Sequence, residues 1–416
     1  MPKLIVVSVD SLFTDNLEQV SDLPGFREIL KDSRIIKNIH CIYPTLTYPC
    51  HATIMSGEYP GKHGITHNEK LRPDIGNAEW YWHYRDLRVK TIFDYAKENG
   101  LTTASVLWPV TGGGPIDYLI PEIWTLLPET DPDEAFLPSI SPAANPVYRE
   151  KRSLLRWKDN PEYDQFGEDC AVEILRRHHP DVLFLHQASL DHARHCCGIY
   201  SKEVTEALQM HGKWIERLLQ TLKETDSLEN TVFIVLGDHG HLAVKANVCP
   251  NTLLREAGLL QTDGEGNVTA WDAYSQSCGI SAQVFLKNSE CIPAVREIFE
   301  DLVRRGFVQR ILEPQELREK YFLDGSFAFM TEAAEGYAFE NNALGELIVP
   351  TDRSDYKYSV STHGHLPERG EKPCFIIHGK GIRPGEVDGA ELIDEAPTML
   401  DILGLPHGFL PGKSLL

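Results

Sequence analysis

The chain has 416 residues, 42% of them hydrophobic, and its acidic residues outnumber its basic ones by 61 to 40, for a formal charge of -21. That composition supplies a sizeable core and is unlike a disordered chain, while the acid surplus argues against a nucleic-acid polymer or an anionic membrane as partner. A small phosphate ester or phosphonate stays open as substrate, because bound cations reverse the local field of an acidic protein. Nine cysteines with no CxxC pair, and a vicinal Cys196-Cys197, point to reduced thiols and a cytoplasmic setting. Met1-Pro2-Lys3 runs into Leu4 without the pattern of a secretory leader, and no stretch reaches the ~18 apolar residues of a membrane span.

In chain order, Leu4 to Val9 is a β-branched apolar run ending in Asp10, the pattern of a buried parallel strand with a carboxylate at its C-terminal edge. Open α/β sheets place their sites at that edge, although Asp10 also suits the capping of a turn. Pro24 to Lys31 reads as a helix. In the stretch Tyr43 to Asn68, Thr47 stands just ahead of a helix-forming run, Pro49 to Met55. Thr47 is either a helix cap or, given the free N–H groups and positive dipole of a helix N-terminus, a seat for a phosphate or an anionic nucleophile. The five consecutive rings from Trp80 to Tyr84 read as a stacking wall, as a cage for a cation, or as a hydrophobic lid.

Thr91 to Asn99 is a helix closed by Gly100, and Leu101 to Leu107 a strand leading to the glycine-rich Thr111–Gly114. The proline-rich, weakly periodic segment 115–160 reads as long loops. Glu162 to Arg177 is a helix, Asp181 to His186 a second buried strand running into Asp191 and His195, and Lys202 to Lys223 an amphipathic helix. Thr231 to Leu236 is the third strong strand and ends in Gly237-Asp238-His239-Gly240-His241. Residues 242–350 mix short strands such as Ala282 to Leu286 with helices such as Pro293 to Arg305 and carry no evident chemistry. They read as an inserted lobe, leaving 1–241 and 351–416 as a metal-binding α/β core. The core resumes at Ser361-Thr362-His363, with a strand at Cys374 to His378 and a helix from Ala396 to Leu403.

Three apolar strands thus lead to Asp10, Asp191 and Asp238, with histidines following at His195, His239 and, much later, His363. Mixed Asp and His donors from several strand ends suit zinc or manganese, though each pair alone could be a surface or capping pair. The segments VVSVDSL, YPTLTYPCHATIMSGEYPGKHGITHN, LDHARHCCG, LGDHGH and STHGHLPE, in that order, resemble the alkaline phosphatase superfamily, and within it the nucleotide pyrophosphatase/phosphodiesterase branch. The resemblance implies an α/β/α sandwich with a mostly parallel sheet and two divalent ions, zinc or alternatively manganese. It implies that Asp191, His195 and His363 hold one ion and Asp10, Asp238 and His239 the other, with Thr47 on the second ion as nucleophile. Asn68 would donate to a phosphoryl oxygen beside the Thr47 N–H. The implied activity is hydrolysis of phosphodiester or pyrophosphate bonds through a phospho-threonine.

The chain departs from the branch at Tyr48-Pro49-Cys50-His51, where Phe-Pro-Asn-His is usual. Cys50 reads as a packing residue, and His63, His67, His241 and His365 as structural or substrate-facing extras. A phosphonate (phosphonoacetate-type) or phosphomonoester hydrolase is the alternative, with Lys62, Lys70, Arg72 and Arg85 as cations for a second carboxylate. A non-catalytic metal-binding relative is the reading from another class.

Overall fold

The structure, a computed structural model, describes residues 2–75, 78–124, 131–156 and 159–416. Six strands build most of one large sheet: β1 (Lys3–Val9), β2 (Arg34–His40), β3 (Thr103–Val106), β4 (Tyr118–Ile120), β5 (Val182–Gln187) and β6 (Thr231–Leu236). The strands Phe375–Gly379 and Gly385–Glu391 complete it. From edge to edge the order is Gly385–Glu391, β2, Phe375–Gly379, β6, β1, β5, β3, β4. β1 is parallel to both β5 and β6, and β3 to β5 and β4, whereas Phe375–Gly379 runs antiparallel to both its neighbours.

The side chains of β1 alternate between two cores, as the period of a strand requires. Leu4 and Val6 pack with the helices Thr47–Ser56 and Glu395–Ile402, while Ile5, Val7 and Val9 pack with Glu162–His178 and Lys202–Glu224. The result is the three-layer α/β/α sandwich expected. Ser8 pairs with His186 on one side and Leu236 on the other, so the residues that follow β1, β5 and β6 emerge together at one edge of the sheet.

The segment 242–350 forms a four-stranded antiparallel sheet, ordered Ala273–Ser277, Ser281–Leu286, Phe329–Ala333, Val308–Leu312. Helix Ile292–Arg304 buries Val295, Phe299 and Leu302 in this region's own cluster, which runs from Val244 to Ala343. A smaller cluster joins Phe285 and Leu312 of this region to Tyr43 and Leu46, just before Thr47. Among the described residues no helix is long and apolar enough to cross a membrane.

The segment 115–160 is more structured than a run of loops. It holds β4 and two helices, Pro132–Phe136 and Asn145–Lys151, each with a proline in its first turn. Proline there removes an N–H that has no partner anyway, so residues that punctuate a loop here begin a helix. Residues 125–130 and 157–158 of that segment lie outside the described residues.

Candidate functional site

Thr47 is the first residue of helix Thr47–Ser56, the cap position falling to Leu46, and its side chain turns to His239: Oγ1 lies 3.1 Å from Nε2. The capping role is therefore not the one its hydroxyl performs. Below it, His51 donates from Nδ1 to the Thr47 carbonyl at 2.7 Å, and its Nε2 meets the Ser8 hydroxyl at 2.8 Å, tying the first helical turn to β1. Asn68 accepts the Tyr48 N–H at 2.9 Å, which leaves its amide NH2 free to face the site.

Asp10 and Asp238 leave β1 and β6 side by side. His239 Nε2 lies 3.3 Å from Asp10 Oδ1 and 3.2 Å from Asp238 Oδ2, and Asp238 Oδ1 accepts the Ser11 N–H at 2.9 Å. The chain turns this corner only because of its glycines. A Cβ on Gly237 would lie 2.1 Å from the Leu12 carbonyl oxygen, and one on Gly240 2.0 Å from that of Glu371.

Asp191 and His195 occupy one face of helix Ser189–Cys197, with His195 Nε2 3.3 Å from Asp191 Oδ2. His363 Nε2 is 3.9 Å from Asp191 Oδ1, and the His363 and His239 rings stack with centroids 3.9 Å apart. The far ring nitrogens are committed: Nδ1 of His195 donates to the Ser361 carbonyl at 2.8 Å and Nδ1 of His363 to the Thr45 carbonyl at 3.0 Å. Each therefore turns an Nε2 lone pair toward the carboxylates, the tautomer that a cation needs.

The structure thus brings Asp10, Thr47, Asn68, Asp191, His195, Asp238, His239 and His363 together. It also draws in His241, read from the sequence only as a structural or substrate-facing extra, and His186, whose role no sequence signal marked. His241 Nε2 donates to Asp191 Oδ1 at 2.7 Å, its Nδ1 meeting the Ser361 hydroxyl at 2.8 Å. His186 Nε2 lies 3.2 Å from Asp10 Oδ2. The most compact sets of possible metal donors are Asp191, His239, His241 and His363, and Asp10, Asp238 and His239.

Other expected residues do structural work. His63 meets Thr53, His67 the Ser277 carbonyl, and His365 the Leu366 carbonyl, and Cys50 is buried in the core. Of the five rings from Trp80 to Tyr84, Trp80 alone lines the cavity beside Thr47; Trp82 packs inward on Trp124, and the Tyr84 hydroxyl is bound by Thr91 and Asp94. None of Lys62, Lys70, Arg72 and Arg85 lines that cavity. Lys62 pairs with Glu58, Lys70 with Glu79 and Asp86, and Arg72 with Asp74, so these cations are engaged by carboxylates of their own loops.

The electrostatics call for cations. Burial, then the charges of Asp238 and Asp191, pushes Asp10 well above the usual carboxylate range, and burial raises Asp238 to about 7. Burial also acts on Asp191, but His195 and His241 more than offset it and hold that carboxyl low. His239 is pushed well below its ordinary value by burial, and His363 down to about 4. Asp10 Oδ1, Asp238 Oδ2 and His195 Nε2 are buried with no hydrogen-bond partner. Three carboxylates and unprotonated imidazoles with orphaned donor atoms form a set that fits divalent metal ions of the zinc class.

The sequence model of a family described as type I phosphodiesterase / nucleotide pyrophosphatase matches residues 4–365. Human ectonucleotide pyrophosphatase/phosphodiesterase family member 1 is 26% identical over 251 residues, covering 58% of this chain and 23% of that protein. A venom phosphodiesterase of Naja atra is 26% identical over 257 residues, covering 59% of this chain and 27% of its own length. The chain spans about a quarter of the length of the curated relatives it matches. Among solved structures, murine ectonucleotide pyrophosphatase/phosphodiesterase 5 superposes with a TM-score of 0.69 at 16% identity, covering 99% of this chain and 97% of that one. An inactive threonine-to-alanine form of the same murine protein, in complex with AMP, superposes with a TM-score of 0.67 at 16% identity, covering 100% and 97%. At that identity the likeness establishes the shared fold.

Proposed function

The chain belongs to the type I phosphodiesterase/nucleotide pyrophosphatase family, and from that premise we propose that it is a two-metal hydrolase of small phosphodiester or pyrophosphate bonds, working through a phospho-threonine at Thr47. The observation that carries the reading is the Thr47 hydroxyl, buried at a helix N-terminus and 3.1 Å from His239 Nε2 inside a cluster of orphaned carboxylate and imidazole atoms. Asp191, His195 and His363 would hold one ion, and Asp10, Asp238 and His239, with Thr47, the other; zinc suits the donors best, with manganese as the alternative. Divalent cations there supply Lewis acidity, which acidifies the threonine hydroxyl and neutralises charge on the phosphoryl group.

The chain's own residues do the rest. Thr47 Oγ1 attacks phosphorus in line with the departing oxygen, and water then cleaves the phospho-threonine to release the monoester and restore the hydroxyl. The Asn68 amide, fixed through its carbonyl by the Tyr48 N–H, donates to an equatorial oxygen where charge develops. His51, by holding the Thr47 carbonyl, keeps the attacking residue in the first helical turn. A half-open cavity beside Thr47 has room for a second ester group, which favours diesters over monoesters. The engagement of Lys62, Lys70 and Arg72 elsewhere weighs against a phosphonoacetate. The nine free cysteines favour a reducing, cytoplasmic compartment.

The test is hydrolysis of bis(p-nitrophenyl) phosphate. Zinc- or manganese-loaded protein should turn it over, chelation should abolish the rate, and Thr47→Ala should lower kcat at least ~10³-fold while fold and metal content persist. An acid quench during turnover should trap a p-nitrophenyl phosphoryl group on Thr47, detectable by mass spectrometry. Activity surviving Thr47→Ala, or undiminished in metal-free protein, overturns the scheme.

A further inference from the structure

His241 has no part in the two-ion assignment, yet its ring lies among the ligands. It is 1% exposed, and its Nε2 is 2.7 Å from Asp191 Oδ1. The Nε2 atoms of His195 and His363 face the same carboxylate, at 3.3 Å from Oδ2 and 3.9 Å from Oδ1. The His241 ring meets both neighbours at steep angles, its centroid 4.7 Å from that of His195 and 5.3 Å from that of His363. Asp191, His239, His241 and His363 offer ligand atoms that all lie within 4.8 Å of one another. Two ligand atoms ~2.1 Å from a tetrahedral ion stand ~3.4 Å apart, so a small opening of the His241–Asp191 contact admits one.

The far side of the ring decides what Nε2 can do. Nδ1 of His195 and Nδ1 of His363 each face a backbone carbonyl, which only accepts, so each ring carries its hydrogen there and has a lone pair on Nε2. Nδ1 of His241 instead meets the Ser361 hydroxyl at 2.8 Å, a group that donates or accepts. With that hydroxyl donating, the neutral ring carries its hydrogen on Nε2 and donates to Asp191. With it accepting, the hydrogen sits on Nδ1 and the Nε2 lone pair is open to a cation. A backbone N–H in place of the hydroxyl would fix the first tautomer; the hydroxyl permits both.

We infer that His241 is itself a ligand, through Nε2, of the ion assigned to Asp191, His195 and His363, and that it changes tautomer when that ion binds. The inference rests on the two-metal reading and adds to its ligands. On loading, the Nε2 hydrogen leaves to solvent, Nδ1 takes up another, and the Ser361 hydroxyl turns from donor to acceptor, so the ring stays neutral. One carboxylate and three imidazoles complete a tetrahedral shell, whereas Asp10, Asp238 and His239 leave a position for Thr47.

The experiment uses the whole protein with isotope-labelled histidines, stripped by chelation and then loaded with spin-active cadmium. Nitrogen NMR should show the imidazoles of His195, His239, His241 and His363 coupled to cadmium, and the His241 Nε2 hydrogen should vanish on loading. Coupling to the other three alone, with the His241 Nε2 hydrogen retained, means a hydrogen bond to Asp191 and overturns the inference. Cobalt-loaded His241→Cys gives a second readout. A thiolate that replaces a ligand should add a sulfur-to-cobalt charge-transfer band absent from the cobalt-loaded wild type, and a fully loaded variant without that band also overturns the inference. The cadmium couplings of the wild type decide the matter if the variant does not fold. If the protein takes up neither cadmium nor cobalt, the two-metal reading falls and the ligand role with it. If it binds both ions and hydrolyses bis(p-nitrophenyl) phosphate while His241 stays uncoupled, the ligand role alone falls.

Discussion

Replacing Asp238 by asparagine should stabilise the metal-stripped protein and destabilise the metal-loaded one. Asp238 is wholly buried, and burial, opposed by the Ser11 N–H and reinforced by the charge of Asp191, lifts its pKa from 3.8 to about 7. A carboxyl with a raised folded-state pKa contributes stability that is complete below the unfolded value and is lost as pH rises through the folded one. At about 1.4 kcal/mol for each tenfold change in proton affinity, burying Asp238 costs the folded state about 4 kcal/mol at pH 8, where it is ionised, and about 2 kcal/mol at pH 5, where it must take up a proton. Asparagine keeps the volume and the acceptor for the Ser11 N–H but carries no charge, and its neutrality also relieves Asp10, whose carboxyl Asp238 helps to push up.

Urea unfolding of chelator-dialysed protein, followed by tryptophan fluorescence, should therefore place Asp238→Asn above the wild type by about 4 kcal/mol at pH 8, and by about 2 kcal/mol at pH 5. Buried histidines held neutral, such as His363 at about 4 and His365 at about 3, weaken both proteins alike below pH 6.5 and cancel in the difference. With zinc added the order should reverse, because in the proposed scheme the variant has lost an anionic donor. A stripped variant no more stable than the stripped wild type at pH 8, or a gap that does not narrow at pH 5, would refute the idea that this cluster stores repulsion for a cation to relieve.

Two further substitutions probe how the site is held. Arg194 is fully buried, lies 3.8 Å above the Phe13 ring, and donates to Ser11, Asn16 and the Ile199 carbonyl, bracing the helix of Asp191 against the turn after β1. Arg194→Ala should cost about 3 kcal/mol or more in urea unfolding, and Arg194→Lys should recover little because a lysine cannot span that fork of acceptors. Gly237→Ala, whose new methyl would meet the Leu12 carbonyl oxygen at 2.1 Å, should cost about 3 kcal/mol and lower metal affinity, while Gly264→Ala, with no atom within 4 Å, should change neither.

What the sequence made legible follows from where each element lies. β1, β5 and β6 are buried on both faces, so each reads as a largely apolar run, and the residues that follow their C-terminal ends fall into one group in the sequence. Gly385–Glu391 escaped notice because it is an exposed edge strand, GEVDGAE, held by its ladder to β2 and carrying no apolar pattern. His51 and His186 were invisible for the opposite reason: they sit inside a helix and a strand, where a histidine gives no hint of whether its ring faces a carboxylate.

The partners of Asp191 depend on pairing across residues 242–362. The strand Leu242–Val248 begins that segment and is antiparallel to Ser361–Thr362, which ends it, with Thr362 opposite Leu242. This short ladder places Ser361 where its carbonyl takes the Nδ1 hydrogen of His195 and its hydroxyl meets Nδ1 of His241, so both rings present Nε2 to the two oxygens of Asp191. The same strand leads into His363, whose Nε2 lies 3.9 Å from Asp191 Oδ1. The segment between His241 and Ser361 therefore need not contribute donors to shape the site. By closing on itself at its two ends it fixes the tautomer of His195 and the position of His241, and a deletion that shifted this register by one residue would turn the Ser361 carbonyl away from His195.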